Sequence, residues 1–278
     1  VKVTVVDFRL IELHGVSVRH HAAADNVLPA LHELSFSIAA GEQVAVIGSS
    51  GAGKTTLLHL LAGALRPEVG EFKLFGNDPW LLSNARRHTL RARLFLAPQM
   101  PPLPPRQRVV TAVLAGRLPQ WSLWKAFLSL IKPSDPEAAY QALARFDLQD
   151  KLYARVDRLS GGERQRCGMA RLLLSNAELL LIDEPLSALD PTLSRQTLTT
   201  LLQQAGLRRA TLICSLHHVE FARAYFPRII GLREGRIVFD ARSVNVTDAM
   251  VKYLYQNEHE GNSSPEFQSR LNINAPGF

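Results

Sequence analysis

Disulfide frameworks, membrane-crossing runs and internal repeats are all missing from this chain, and each absence removes a class of function. The 278 residues contain two cysteines, Cys167 and Cys214, 47 positions apart and outside any C-x-x-C pair. They read as reduced core thiols rather than as a disulfide framework. No run of 18 apolar residues occurs, so no helix is expected to span a bilayer. The stretch Val1 to Leu10 lacks the long apolar core of a secretion signal, and the expectation is an intracellular, soluble chain. Aromatic residues make up 7% of the sequence, and none interleaves with the basic clusters Arg86-Arg87-His88, Arg91, Arg93 and Arg208-Arg209. The net charge of +7 is therefore read as a solvated basic face suited to anionic lipid or acidic partners, with no nucleic acid expected.

What is present is concentrated in short strings. Gly48-Ser49-Ser50-Gly51-Ala52-Gly53-Lys54-Thr55-Thr56 follows the apolar run Val44 to Ile47 and precedes the helical run Leu57 to Leu61. Glycines at 48, 51 and 53 let the backbone curl so that successive N–H groups face phosphate oxygens, and a helix starting near Gly53 adds its positive end. Lys54 then reaches the β and γ phosphates, and the Thr55 hydroxyl can ligate Mg²⁺.

A second string, Leu179-Leu180-Leu181-Ile182-Asp183-Glu184-Pro185, places Asp183 129 residues beyond Lys54. Four successive apolar residues suit a parallel strand buried on both faces, and such strands present functional groups at their carboxyl ends. Asp183 is the candidate Mg²⁺ holder, and Glu184 the candidate base that polarises an attacking water.

The third string, Leu159-Ser160-Gly161-Gly162-Glu163-Arg164-Gln165-Arg166, precedes Asp183 by about 20 residues. Ser160 is a good N-cap, and Gly161 and Gly162 allow a phosphate to approach the backbone. The string resembles the signature of ATP-binding-cassette (ABC) ATPases, and the resemblance covers roughly residues 9–245. It implies an α/β fold: a P-loop nucleotide-binding domain with an antiparallel β subdomain and a helical insert. It also implies a site for ATP and Mg²⁺ to which Ser160, Gly161, Gly162 and Glu163 contribute. Gln99 falls at the family's Q-loop glutamine, which contacts Mg²⁺ and the attacking water and senses the membrane partner. Ser187 to Asp190 resembles the D-loop. His217 falls at the switch histidine, with His218 as its competitor. One slot departs from the pattern: where the family has an aromatic residue to stack on adenine, this chain has His20, with His21 or a loop residue as alternatives.

Along the chain, period-two alternation at 11–13 and 34–38 predicts strands of an edge sheet. Five prolines between Pro98 and Pro105 mark a hinge into an insert whose pattern is helical from about Val109 to Arg158. Ser134-Asp135-Pro136 reads as a helix start, and Glu234-Gly235 as the turn of a hairpin. The expected organisation is an ATPase domain at 9–245, with a helical subdomain at about 105–160, followed by an extension at 246–278 whose polar end, from Asn257, is expected to be disordered.

One signature and one phosphate loop per chain imply, by the resemblance, a head-to-tail homodimer. With no spanning segment, transport would need separate integral membrane permease subunits and, indirectly, a periplasmic or extracellular substrate-binding protein. The chain would then sit peripherally at the cytoplasmic face of the inner membrane. Val113 to Leu118, Trp121-Ser122-Leu123-Trp124, Ile131-Lys132-Pro133, Ser215 to Glu220 and Gly231 to Asp240 resemble the phosphonate-importer branch, for which phosphite and phosphate are chemically related substrates. The Q-loop prolines with the Trp121/Trp124 pair form the expected docking face. Two rivals from other classes are a soluble ABC partner of a phosphonate-degrading complex and a nucleic-acid- or ribosome-associated ABC protein. The latter usually carries two cassettes or a long coiled coil, and the segment from Gln99 to Leu159 shows no sustained heptads.

Overall fold

The computed structural model describes residues 9–19, 30–131 and 133–261. In chain order its elements are β1 (Arg9–Val18), β2 (Leu31–Ala39), β3 (Gln43–Ile47), α1 (Lys54–Leu61), β4 (Val69–Leu74), α2 (Asn84–Arg91), β5 (Leu94–Ala97), α3 (Val109–Leu114) and α4 (Leu123–Ile131). There follow α5 (Pro136–Ala144), α6 (Gly161–Leu174), β6 (Leu179–Asp183), α7 (Pro191–Leu207), β7 (Thr211–Leu216), α8 (Val219–Tyr225), β8 (Arg228–Arg233), β9 (Arg236–Arg242) and α9 (Asp248–Gly261).

These strands form two sheets. A three-stranded antiparallel sheet runs β2-β1-β4, and a six-stranded sheet runs β5-β6-β7-β3-β8-β9. Within the larger sheet every pairing is parallel except β8 with β9. The apolar runs of β3, β6 and β7 follow from burial on both faces. Ala45, Ile47, Leu180, Ile182, Leu212 and Cys214 point into one core, shared with α3, α5 and α6 of the helical insert. Val44, Val46, Leu179, Leu181 and Ile213 point into the other, shared with α1 and the antiparallel sheet. Truncating such a side chain, Ile182→Ala for example, is expected to cost about 2–5 kcal/mol. Both cysteines are free and buried. Burial pushes the Cys167 thiol up to about 12 and raises that of Cys214 as well.

The C-terminal ends of the parallel strands position the site. Asp183 at the end of β6 lies opposite Ser215 near the end of β7, and Ile47 at the end of β3 lies opposite Leu216. Ala97 of β5 lies opposite Ile182. The segments leaving β3, β5, β6 and β7 therefore emerge along one edge, as open α/β sheets require of a ligand site.

Several expectations needed correction. The insert is not continuously helical: Pro119 lies in a 3₁₀ stretch, Ala115–Gln120, that separates α3 from α4. Trp121 packs against the core while Trp124 is 70% exposed, so the two tryptophans do not act as a pair. Trp124 stacks instead on Phe127, with ring centroids 6.2 Å apart. The basic clusters are only partly a solvated face, because several arginines close off backbone carbonyls. Arg87 donates to the Pro79 carbonyl, Arg91 to that of Gly63, and Arg208 to those of Leu173 and Ser175. Arg93 grips Glu178 through two bonds of 2.7 and 2.8 Å. Helix α9 continues to Gly261, into the segment expected to be disordered from Asn257; residues 262–278 lie outside the described residues.

The hairpin reading holds locally. Glu234 and Gly235 both have positive φ, 48° and 73°, as the twist of a two-residue hairpin turn demands.

Candidate nucleotide site

The phosphate loop connects β3 to α1. Gly48 is fixed by crowding, since a Cβ there would lie 2.1 Å from the Leu232 carbonyl oxygen of β8. Gly53, at φ 103°, turns the chain into α1 in a conformation that side chains resist. No side chain caps α1, whereas Asp135, Ser160 and Asp190 cap α5, α6 and α7. The positive end of α1 is thus left for an anion. The Lys54 side chain is buried and its ammonium donates to the carbonyl oxygens of Gly48 (2.8 Å) and Ser49 (2.9 Å). It lies folded along the loop, where a phosphate could compete for its protons. Ser49, Ser50, Gly51 and Ala52 line a cavity together with Arg233, Glu234, Leu254 and Tyr255. Thr56 follows Thr55 in the first turn of α1.

The Thr55 hydroxyl donates to Asp183 Oδ2 at 2.8 Å, across 128 residues. Together they offer two hard oxygen donors beside a phosphate loop, a set that suits Mg²⁺. Among the described residues no group of three or more His, Cys, Asp or Glu side chains forms a metal cluster.

Glu184 is the centre of the arrangement, and side chains from three segments hold it: the loop after β5, the end of β7 and the start of α6. Gln99 Nε2 donates to its Oε2 at 2.8 Å, and His217 Nε2 lies 2.5 Å from its Oε1. Its backbone N–H donates to Ser215 Oγ at 2.9 Å, and its carbonyl accepts from Gln165 Nε2 at 2.8 Å. Its φ is 47°, a left-handed conformation that costs a non-glycine residue on the order of 1–3 kcal/mol and persists only where surrounding contacts over-determine it. With its Nε2 on the glutamate, Gln99 keeps only Oε1 for a cation.

The two candidate switch histidines separate cleanly. His217 follows β7 and reaches Glu184. His218 sits at the N-cap of α8 and meets the Phe221 ring edge-on, with centroids 6.0 Å apart.

The signature forms the start of α6 and is closed on itself. Ser160 N–H donates to Glu163 Oε2 at 2.8 Å, and Glu163 N–H donates to Ser160 Oγ at 3.2 Å. Gly161 and Gly162 open the helix inside this capping box. The Ser160 N–H bond, helped by the Ser160 hydroxyl and Lys151, holds the Glu163 carboxyl below its ordinary 4.5. His20, the adenine candidate, lies outside the described residues.

Sequence reading missed Ser215, Gln165 and Tyr255. Ser215 shares β7 with a second hydroxyl, Thr211, and only the pairing of β7 with β6 shows which of them meets Asp183 and Glu184. Gln165 sits inside the signature string, and only the fold shows that its amide reaches Glu184. Tyr255, on α9, donates its hydroxyl to the His217 carbonyl at 3.3 Å, a contact that no local pattern announces.

Comparison with known proteins identifies the family. Residues 31–187 match the family model described as ABC transporter. The phosphonates import ATP-binding protein PhnC 2 of Albidiferax ferrireducens is 58% identical over 251 residues, covering 90% of this chain and 91% of that relative. PhnC 1 of Pseudomonas aeruginosa is 53% identical over 248 residues, 89% of this chain and 91% of that relative. Among solved structures, the dimeric structure of a bacterial ABC transporter cassette superposes with a TM-score of 0.72 at 24% identity, covering 84% of this chain and 98% of that one. The ATP-binding fold is therefore shared well beyond close relatives, and the matched residues take in the phosphate loop, the signature and the β6 carboxylates. On these grounds the chain belongs to the ABC transporter family, as an ATP-binding subunit most like those of its phosphonate-import branch.

Proposed function

We propose that this chain hydrolyses ATP to drive uptake of a phosphonate or a related phosphorus oxyanion through separate membrane permease subunits. The convergence of Gln99, His217, Ser215 and Gln165 on Glu184, beside the phosphate loop, carries the ATPase reading. The identity to phosphonate-import subunits supports the substrate class.

In this reading residues 9–245 form the ATPase unit, with the helical subdomain at about 105–160. Residues 48–56 cradle the phosphates, and Lys54 exchanges its bonds to the Gly48 and Ser49 carbonyls for phosphate oxygens. Thr55, Asp183 and Gln99 would hold Mg²⁺, which when bound would neutralise phosphate charge. Glu184 accepts hydrogen bonding from the attacking water as its base, and His217 orients it. His20, which lies outside the described residues, is the proposed partner for adenine, with His21 or a loop residue as alternatives.

Ser160 to Glu163 complete the site of a second copy, so two chains pair head to tail around two nucleotides. Exposure of the signature turn supports this: Ser160 and Gly161 are exposed, and the side-chain bonds of Ser160 stay within its own helix turn. The partner-facing surface is assigned to the Q-loop, where Met100 is 83% exposed, together with Trp124, Phe127 and Leu128 of α4. No described helix is long and apolar enough to cross a membrane. The chain would work peripherally at the cytoplasmic face of the inner membrane, with a substrate-binding protein outside delivering the cargo and no nucleic acid involved.

Uptake of a phosphonate, compared with phosphite and phosphate, in cells carrying either the intact gene or Glu184→Gln tests the proposal. Loss of phosphonate uptake in the variant is the expected result. Unchanged uptake of all three oxyanions would contradict it.

A further inference from the structure

We propose that Ser215 and Gln165 are positioning residues for hydrolysis: they grip the Glu184 peptide from its two ends and so set where the carboxylate points. The proposal rests on Glu184 being the base.

Glu184 cannot hold its conformation by intrinsic preference, because φ 47° lies where non-glycine residues rarely settle. Its N–H is taken by Ser215 Oγ at 2.9 Å and its carbonyl by Gln165 Nε2 at 2.8 Å. These two bonds bracket the strained residue on either side. Loss of either one frees a torsion beside Cα, and the side chain swings with it.

The hydrogen count is complete at both residues. Ser215 uses its one proton on Asp183 Oδ1 at 2.6 Å and accepts the Glu184 N–H on its oxygen. A single hydroxyl thus fixes the Asp183 carboxylate relative to the peptide of its neighbour. Thr55 takes the other Asp183 oxygen. Gln165 donates to the Glu184 carbonyl and, at 3.3 Å, to Ser187 Oγ, while its Oε1 accepts the Ala188 N–H at 3.0 Å. One amide therefore staples residues 184 to 188 into a fixed turn. Both side chains are buried, Ser215 at 0% and Gln165 at 3% exposure, so water is poorly placed to replace the lost bonds.

Gln165 also belongs to α6, five residues beyond Ser160. A shift of α6 when Ser160 engages a nucleotide would be transmitted to Glu184 through this amide. Occupation of one site by a second copy is thereby linked to the geometry of the base in the copy that supplies Ser160.

The test compares steady-state ATPase kinetics of the full chain with Ser215→Ala, Ser215→Thr and Gln165→Met, each first checked for folding by circular dichroism and thermal melting. ATP affinity is read separately with a fluorescent ATP analogue. Ser215→Ala and Gln165→Met are expected to lower kcat by about 10²-fold, the scale of a misplaced catalytic group, while KM for ATP and analogue affinity change by less than about 3-fold. Ser215→Thr, which keeps the hydroxyl, should recover most of the rate. Added to Glu184→Gln, Ser215→Ala should cause no further loss, because residues acting through one group are not additive.

A folded Ser215→Ala or Gln165→Met at the parental rate, alongside a slow Glu184→Gln, would overturn the proposal alone. So would a full additional loss on top of Glu184→Gln. Parental turnover in Glu184→Gln would overturn the base assignment and the positioning role with it. If Ser215→Ala does not fold, Gln165→Met carries the same readout.

Discussion

Glu184 and Ser160 both sit in motif strings of the same chain, yet their surroundings differ. Glu184 is bonded at its N–H, its carbonyl and both carboxylate oxygens, to four side chains from three other segments. The Ser160 N–H and hydroxyl bond only to Glu163, in the same helix turn. One is a group assembled and aimed within a single chain; the other is a rigid, exposed turn built to be used by something else. Under the proposed function the difference locates where the reaction is completed: Glu184, the proposed base, is held in place within the chain, while the exposed signature is left for a second copy.

The strongest way to break this contrast is at the preset side. Glu184→Gln is expected to slow phosphate release by about 10²–10⁴-fold while leaving ATP binding intact; parental turnover would remove Glu184 as the base. Ser160→Arg should slow turnover by about 10²-fold, the scale of losing a phosphate-directed donor, while ATP binding to the isolated chain stays within about 2-fold. Normal turnover there would erase the distinction, because the signature would then not contribute to the site. Lys54→Ala should weaken ATP binding by about 10- to 100-fold, the worth of one or two charge-assisted hydrogen bonds, as titration with a fluorescent nucleotide would show.

The smallest effect belongs to the capping box. Glu163 has its folded pKa below the ordinary 4.5 because it accepts the Ser160 N–H at a helix start. Its stabilisation is therefore present above that ordinary value and is lost as pH falls through the lower folded one. Glu163→Ala should cost about 0.5 kcal/mol near neutral pH, and its melting curve should merge with that of the parent in acid. Because Glu163 also belongs to the signature proposed to complete a second copy's site, ATPase activity should fall as well, and parental activity would remove Glu163 from that site.

Legibility from sequence follows the same division. The phosphate loop, Asp183, Glu184, the signature and the hairpin at Glu234-Gly235 were readable because each depends on neighbours in the chain: a glycine pattern, an apolar run, a cap, a turn pair. Both histidines after β7 were visible in the string, but only the fold shows that His217 is the one that contacts Glu184. The grip on Glu184 was not readable, because Ser215 reaches it only through the non-local pairing of β7 with β6, and Gln165 only because the start of α6 lies against the segment after β6. The arginine clusters misled for a related reason. Charge is visible in a string, but the carbonyls of Gly63 and Leu173 that Arg91 and Arg208 satisfy lie 28 and 35 residues away. The two tryptophans looked alike in sequence and parted only when Trp121 met the core.

The central claim is that one chain holds an aimed base and another supplies the closing signature. Sedimentation velocity of the full chain carrying Glu184→Gln, with and without ATP, tests it most directly. The account predicts a monomer without nucleotide, a dimer with ATP, and no dimer when Ser160→Arg is added. A Glu184→Gln chain that stays monomeric while saturated with ATP would contradict it.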